Sequence, residues 1–357
     1  MNKNKKWCML LGSFTVLTLM LAATIVIIID PYMHYHKPLD CLEYPMNSGD
    51  QRYINDGIIR QFEYDALIIG SSMTENFKTS QLNDLFGVNA IKVCNAGDTY
   101  YNIKTNIEKA IEEQGDIKLV VTSLDINRLC DDPNHLRTDM GEYPTYLYDD
   151  YLYNDVEYVL NKDVLLEKVY KVIKYTREGN KTTTFDEYCN WQNNSVFGKE
   201  AVLATYDRLE KMPPNMEAQE QQQANIAPNV LQNIVKLAQE NPNTEFYLFF
   251  PPYSIYYWDN IDRYSVVEWQ IDNMKIATEL LLECENIHIY SFFDEYEIIS
   301  DLSNYKDMVH YSETYNEYIL DWIAVGEHEL TKENYEHYYE EMKNYYCNYD
   351  YDSLFEE

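Results

Sequence analysis

Positively charged residues are scarce in this chain. It contains 28 Lys and Arg against 60 Asp and Glu in 357 residues, for a formal net charge of −32 at pH 7. Nucleic acids and anionic lipid head groups repel such a surface because both carry dense negative charge. The composition therefore argues against a nucleic-acid partner. Hydrophobic residues still make up 46% of the sequence, which is enough for one sizeable core with an insertion.

Cysteines lack the close pairing that metal and redox motifs require, because no Cys-x-x-Cys occurs. Disulfides between exported cysteines are an alternative, but the irregular spacing specifies none. Cys94 ends a predicted core strand, which favours a buried thiol. We expect no disulfide, no metal site and no cofactor. The seven positions are Cys8, Cys41, Cys94, Cys130, Cys189, Cys284 and Cys347.

Charge is absent from the run Trp7–Ile29, which as a helix is long enough to cross a bilayer. A Lys cluster precedes the run and Asp30 follows it, which predicts a cytoplasmic N-terminus with the rest of the chain outside. A cleaved signal peptide is the alternative. However, the run exceeds a normal signal core, and Thr24–Ile29 offers no small-residue cleavage site. We interpret the run as an uncleaved single-pass anchor.

A short apolar run, Ala66–Ile69, is followed by Gly70-Ser71-Ser72 and then by a helix-like stretch, Thr79–Phe86. The run is typical of a buried central strand of an α/β sheet. A strand, a tight turn bearing a hydroxyl and a helix together can expose a nucleophile at the carboxyl edge of the sheet. The alternative is that the two serines only cap a helix.

A base for such a nucleophile occurs far downstream, in Asp307-Met308-Val309-His310. This stretch precedes a helix pattern at Tyr311–Ile323, and an Asp three residues before a His can contact its imidazole. A serine nucleophile needs a base and a carboxylate that orients the base. Alternatively, His310 caps a helix or lies in a solvated turn. The presence of the serines and of the later Asp307–His310 pair, in this order along the chain, favours a catalytic role over these structural alternatives.

These motifs resemble those of the SGNH (GDSL-like) hydrolase superfamily over residues 65–325. Gly70-Ser71-Ser72 is similar to its first block, Gly-Asp-Ser, with Ser71 in place of Asp. Asp307–His310 matches the final Asp-x-x-His block, and Asn95-Ala96-Gly97 fits the block whose glycine supplies a backbone N–H. The third block, usually Gly-x-Asn-Asp, is Asp125-Ile126-Asn127-Arg128 here, so only Asn127 matches.

The resemblance implies a site at the carboxyl ends of the strands. Ser72 would be the nucleophile, His310 the base and Asp307 its orienting carboxylate. The oxyanion hole would combine backbone N–H groups of Ser72 and Gly97 with the side chain of Asn127.

A second segment of interest, Pro251-Pro252-Tyr253-Ser254, follows a predicted strand and is similar to one in membrane-anchored members of the superfamily. We therefore expect Tyr253 and Ser254 to bind substrate. The rings of Tyr253, Tyr256, Tyr257 and Trp258 could stack on sugar faces at the mouth of a cleft. Alternatively, they close over the core, as aromatic clusters commonly do.

Strand-like and helix-like runs alternate through the middle of the chain. This alternation predicts a three-layer α/β/α fold of the SGNH or flavodoxin-like kind, with a mostly parallel sheet and one N-terminal transmembrane helix. The predicted strands are Ala66–Ile69, Ala90–Cys94, Leu119–Leu124, Phe246–Phe250 and Ile287–Tyr290.

The predicted organisation has four parts. Residues 1–29 form the cytoplasmic tip and anchor, 30–64 a stalk or lead-in, and 65–325 the catalytic domain. Its insertion at 130–224 is either a cap or binding element or a flexible surface loop. Residues 326–357 form an acidic, Tyr-rich tail, which we expect to be partly ordered and without chemistry.

The expected function is that of an extracytoplasmic serine esterase or O-acyltransferase, with acetyl or another small acyl group moved. The resemblance implies a cell-envelope polysaccharide or a polyol-phosphate polymer as substrate and admits an integral-membrane acyltransferase as partner. Whether water or a sugar hydroxyl accepts the acyl group stays open. The alternative is a non-catalytic envelope assembly or binding partner that retains the fold, which the altered first and third blocks favour.

Overall fold

The computed structural model describes residues 3–139 and 142–355. Two residues of the predicted anchor, two of the insertion and two of the tail lie outside these ranges. The α-helices in the described part, in chain order, are α1 Lys3–Ile29, α2 Gln51–Gln61, α3 Thr79–Phe86, α4 Tyr100–Gln114, α5 Thr145–Tyr148, α6 Val156–Val159, α7 Val169–Arg177, α8 Lys199–Ala204, α9 Met216–Gln223, α10 Ile226–Val230, α11 Lys236–Glu240, α12 Ile255–Arg263, α13 Val267–Leu281, α14 Tyr296–Ser300, α15 Glu313–Val325 and α16 Tyr335–Tyr346.

Two compact units divide the chain. The first unit comprises Met1–Phe62 and Thr138–Tyr188, and the second comprises Glu63–Arg137 and Cys189–Glu357. The second unit contains one sheet, whose strands are β1 Ala66–Gly70, β2 Ala90–Cys94, β3 Leu119–Ser123, β4 Glu245–Phe250, β5 Ile287–Ser291 and β6 Glu329–Leu330.

The sheet has the order β2-β1-β3-β4-β5-β6. The first five strands are parallel, and β6 is antiparallel to β5. Every residue of β1, β2 and β3 is buried, as expected for parallel strands covered by helices on both faces. The prediction of an α/β fold with a mostly parallel sheet is confirmed. Because β1 to β4 run in the same direction, the loops that follow them meet at one edge of the sheet.

The tail that follows Gly326 contributes both β6 and α16 to the second unit. Tyr339 and Tyr346 are buried on α16, and the Tyr346 hydroxyl donates to the Phe293 carbonyl oxygen at 2.6 Å. The Tyr339 and Thr278 hydroxyls are 2.7 Å apart. The regularly spaced tyrosines therefore form the buried face of a helix, while the acidic residues between them face solvent.

The first unit is helical and includes residues 30–62 of the segment predicted as a stalk. In that segment α2 buries Ile54, Ile58 and Ile59. A separate core joins the end of α1 to the later helices; it comprises Val26, Tyr32, Leu147, Tyr158, Val164 and Val169.

Helix α1 is long and apolar enough to cross a membrane. The chain leaves α1 at Asp30, whose buried carboxylate accepts backbone N–H bonds from His34, Tyr35 and His36 at 2.7–3.0 Å. The Tyr158 hydroxyl also donates to Asp30, at 2.8 Å. These bonds order the chain immediately after the apolar helix.

Candidate active site

The turn after β1 separates the roles of the two adjacent serines. Ser71 is buried, and its Oγ accepts the Met73 N–H at 3.2 Å. Its carbonyl oxygen accepts the Thr74 N–H at 3.0 Å and the Thr74 hydroxyl at 2.8 Å. Ser71 is thus the cap of a short 3-10 turn, Ser72–Thr74. Its neighbour Ser72 is partly exposed at a cavity at the edge of the sheet, which both serines line.

Gly70 makes this turn possible. Its φ of +151° is rarely adopted by residues with a side chain. A Cβ at this position would lie 2.9 Å from Cγ2 of Thr74 and 3.3 Å from Oγ of Ser123. The chain can therefore turn sharply at the end of β1 and bring Ser72 to the open side of the sheet.

The Ser72 hydroxyl contacts the predicted base. Its Oγ lies 2.8 Å from Nε2 of His310, and Nδ1 of His310 lies 2.7 Å from Oδ2 of Asp307. An ionised carboxylate can only accept, so Nδ1 carries the proton. Nε2 then has a free lone pair and accepts the Ser72 O–H. The three side chains form the hydrogen-bonded series that a serine nucleophile requires.

Asp307 is held ionised by its surroundings. Burial raises the pKa of its carboxyl, but the side chain of His310 and the backbone N–H groups of His310 and Val309 lower it more, so the pKa lies below its ordinary value of 3.8. Oδ1 accepts those two N–H groups at 2.8 and 2.9 Å. The same short loop therefore keeps the Asp307 carboxylate ionised and fixes its orientation.

Two backbone N–H groups lie at the cavity without an acceptor. Ser72 and Gly97 both line it, and neither N–H has a hydrogen-bond partner among the residues that the structure describes. Gly97 adopts φ of +65°. Arg128 donates to its carbonyl oxygen at 3.0 Å, and Arg137 donates to that of Ala96 at 3.1 Å. These guanidinium groups fix the orientation of the two peptide groups. Because the N–H and C=O of a trans peptide point in opposite directions, the N–H of Gly97 points away from Arg137, which binds the Ala96 carbonyl oxygen.

Asn127 lines the same cavity. Its Oδ1 accepts the hydroxyl of Tyr257 at 3.1 Å. Because the oxygen is engaged, the amide nitrogen is the atom left to donate. Asp125 lies two residues earlier, where its carboxylate accepts from Tyr253 at 2.9 Å and from Ser123 at 3.0 Å. The altered third block is therefore internally hydrogen-bonded, and it presents one amide to the cavity.

The cavity has a volume of about 250 Å³. This space accommodates a small acyl group with part of an alcohol, but it is below the usual size of a drug-like ligand site of roughly 300–1,000 Å³. Its lining residues are Ser71, Ser72, Met73, Gly97, Asp125, Asn127, Arg128, Tyr253, Val309 and His310.

The Pro251–Ser254 segment, whose Tyr253 and Ser254 are predicted to bind substrate, places these two side chains differently. Tyr253 reaches the cavity wall but is only 2% exposed. Ser254 has no exposed surface, and its N–H and Oγ both donate to the Met308 carbonyl oxygen, at 3.0 and 2.8 Å. It therefore anchors the loop between Asp307 and His310 from behind the site. Tyr256, Tyr257 and Trp258 are buried as well, so these rings close over the core and present no face for a sugar.

Two residues near His310, Trp191 and Lys306, belong to none of the sequence motifs described above. Trp191, from the predicted insertion, packs edge-on against the His310 ring, with centroids 5.7 Å apart at 89°. Lys306 directly precedes Asp307, and its Nζ lies 3.6 Å from the Trp191 ring centroid. The predicted insertion, residues 130–224, therefore contributes Trp191 to the site. The sequence gave no indication of this contact, because Trp191 and His310 are far apart in the chain.

Comparisons with known proteins leave the family open. No protein-family model matches the chain, and no curated protein matches it. Among solved structures, the chain is similar to a protein described as a proposed platelet activating factor from Streptococcus pneumonia. The identity is 15% over 78% of this chain and 89% of that one, with a TM-score of 0.35. A likeness at this level establishes neither a family nor a function.

Proposed function

We propose that this protein is a serine-dependent acyl esterase or O-acyltransferase. The observation that supports the proposal most strongly is the pair of hydrogen bonds, at 2.8 and 2.7 Å, that connect Ser72 Oγ, His310 and Asp307. The serine lies in a cavity with free N–H groups beside it. A binding module has no use for a hydroxyl whose proton is already directed at an imidazole nitrogen.

The reaction begins when Ser72 Oγ attacks the carbonyl carbon of an ester while His310 Nε2 takes the hydroxyl proton. The carbonyl oxygen becomes an oxyanion, which the N–H groups of Ser72 and Gly97 and the amide of Asn127 stabilise. Each such donor is typically worth about 10²–10³-fold in rate. Collapse of the intermediate breaks the ester C–O bond, and His310 returns its proton to the departing alcohol. The product is an acyl group on Ser72.

A second half-reaction releases the acyl group. His310 removes a proton from water or from the hydroxyl of an acceptor, and the oxygen attacks the acyl carbon of the Ser72 ester. Water yields a free acid and makes the protein an esterase. An acceptor hydroxyl yields a new ester and makes it a transferase. The same residues serve both outcomes, so we propose the activity at the level of acyl transfer.

We further propose that the acceptor belongs to a cell-envelope polymer and that α1 anchors the protein in the membrane with its N-terminus in the cytoplasm. The length and hydropathy of α1 support an anchor, and the preceding Lys cluster supports the orientation. A periplasmic or extracellular reporter fused to the C-terminus should then be active. Activity of a cytoplasm-only reporter at that end would contradict the orientation.

The catalytic proposal is tested with the purified full chain and a small ester such as p-nitrophenyl acetate. Ser72→Ala should abolish turnover, and His310→Ala should reduce it nearly as much. The double variant should lose little beyond either single change, because the two residues act as one unit. Ser71→Ala is the matched control, since the Ser71 hydroxyl is buried and accepts the Met73 N–H. Undiminished turnover in Ser72→Ala would require another nucleophile and would end the proposal.

A further inference from the structure

Lys306 is unusual among the cations of this acidic chain. Its side chain is half-buried, and within the described ranges no carboxylate lies within ion-pair distance of its Nζ. Lys78 shows the contrasting arrangement, since its Nζ lies 2.8 and 2.6 Å from Glu313 and Glu317. A charge removed from water without a counterion is unfavourable. An anion from outside the chain would supply the missing partner.

The neighbouring carboxylate cannot neutralise this ammonium. Both oxygens of Asp307 contact Nδ1 of His310, at 2.7 and 3.0 Å, and Oδ1 also accepts two backbone N–H groups. Burial lowers the pKa of the Lys306 ammonium, and the electrostatic attraction of Asp307 and Glu75 offsets only part of this effect. The carboxylate next to Lys306 in the chain is thus already committed to the base.

Trp191 holds the ammonium at a defined place. The Nζ lies 3.6 Å from the centroid of its ring, in a cation–π contact. The backbone of Trp191 is fixed in turn, because its N–H donates to Oδ1 of buried Asn76 at 3.0 Å and its carbonyl oxygen accepts the Ser195 hydroxyl at 3.0 Å. The indole then packs edge-on against His310. Trp191 therefore contacts both the Lys306 ammonium and the ring of the base.

The chemistry of the site determines which part of a substrate lies near Lys306 and Trp191. The acyl oxygen must face the N–H groups of Ser72 and Gly97. The alcohol oxygen must lie beside Nε2 of His310, which exchanges a proton with it. The remainder of the alcohol therefore lies beside His310, whose ring Trp191 contacts.

We propose that Lys306 and Trp191 form a subsite for a negatively charged group, phosphate or carboxylate, on the alcohol that His310 protonates or deprotonates. This inference rests on the proposed acyl transfer, and it deepens that proposal by assigning an anionic alcohol as the leaving group or acceptor. Lys306 pairs with the anion, while Trp191 keeps the ammonium in place.

The test compares three esters of matched length on the purified full chain: 3-acetoxypropyl phosphate, 4-acetoxybutanoate and the neutral 3-acetoxypropan-1-ol. We expect kcat/KM to be about tenfold higher for at least one anionic ester, as typical for a charge-assisted contact. A preference for the phosphate alone identifies phosphate, and equal preferences identify anions generally. The preference should shrink as ionic strength rises, because salt screens the contact.

Substitutions at Lys306 test whether this residue causes the preference for anionic esters. Lys306→Gln should bring the ratio of anionic to neutral kcat/KM close to one, whereas Lys306→Arg should keep most of it. Lys236→Gln is the matched control, because it removes the same charge from an exposed site where Lys236 pairs with Glu240, and it should leave the ratio unchanged.

Two results would overturn the subsite: equal kcat/KM for all three esters in the unmutated protein, or a preference that survives Lys306→Gln. The neutral ester separates this failure from failure of the proposed function. If its hydrolysis depends on Ser72 while no preference exists, only the subsite is wrong. If its hydrolysis survives Ser72→Ala, the acyl-transfer proposal falls, and the subsite falls with it.

Discussion

Replacing Asp307 by Asn changes one atom of the site and should reverse the proton arrangement of its imidazole. In the structure both Asp307 oxygens accept from His310 Nδ1, which leaves Nε2 free to accept the Ser72 proton at 2.8 Å. An Asn at 307 can place its NH₂ group where Oδ2 now lies. That group donates to Nδ1 and moves the ring proton to Nε2. His310 then cannot act as a base toward Ser72.

The expected cost in kcat is about four orders of magnitude, on the order of 5 kcal/mol in activation free energy. The fold should be largely preserved. The remaining amide oxygen can still accept the N–H groups of Val309 and His310, which are now 2.9 and 2.8 Å from Oδ1. The change in the free energy of unfolding should therefore stay below about 2 kcal/mol.

The assay is ester turnover by the purified protein, combined with urea denaturation of each variant. Asp301→Asn is the matched control. It makes the same carboxylate-to-amide change a few residues away, where Asp301 caps a short turn by accepting the Ser303 N–H at 2.9 Å and the Asn304 side-chain N–H at 3.3 Å. A loss of less than about tenfold in Asp307→Asn, with the control unaffected, would refute the assigned role of Asp307.

Three other predictions follow from single contacts. Asn127→Ala should lower kcat by about 10²–10³-fold if its amide donates to the oxyanion; a change under about threefold in ester turnover would show that the backbone donors suffice. Lys92→Met should lower the free energy of unfolding by about 2–3 kcal/mol, measured by urea denaturation, because the buried ammonium donates to the carbonyl oxygens of Glu75 and Phe77 at 2.7 and 2.9 Å; an unchanged urea midpoint would contradict this. Because the folded pKa of Asp307 lies below 3.8, its contribution to stability should be present above that pH and be lost as the pH falls through the folded value. Asp307→Asn should remove this part of the acid dependence in urea titrations, and an identical acid profile in both proteins would contradict it.

The sheet could be predicted because its first five strands are short apolar runs followed by turn residues. Burial on both faces produces this pattern, and the observed bounds of β1 to β5 differ from the predicted ones by at most one residue at either end. Strand β6 consists of two residues, Glu329–Leu330, and has no periodicity to detect. It forms because β5 offers a free edge to the chain that follows α15.

The candidate triad could be predicted because each of its parts is local. Glycine before two serines specifies a turn, and an Asp three residues before a His places carboxylate and imidazole together. The contact between Trp191 and His310 has no such local cause, since the residues are far apart in sequence. The Pro251–Ser254 segment illustrates a different limit. A buried aromatic cluster and a sugar-binding one have the same composition, so only packing distinguishes Trp258 in the core from a ring at a cleft.

The most direct test of the central claim is to locate the adduct formed by a fluorophosphonate probe, which requires an activated serine hydroxyl. The full chain is labelled, digested and sequenced by tandem mass spectrometry, alongside Ser71→Ala and Ser72→Ala. We predict one adduct on Ser72, retained in Ser71→Ala and absent from Ser72→Ala. An adduct on Ser71, or labelling that persists in Ser72→Ala, would show that the hydrogen bond between Ser72 and His310 does not activate this hydroxyl.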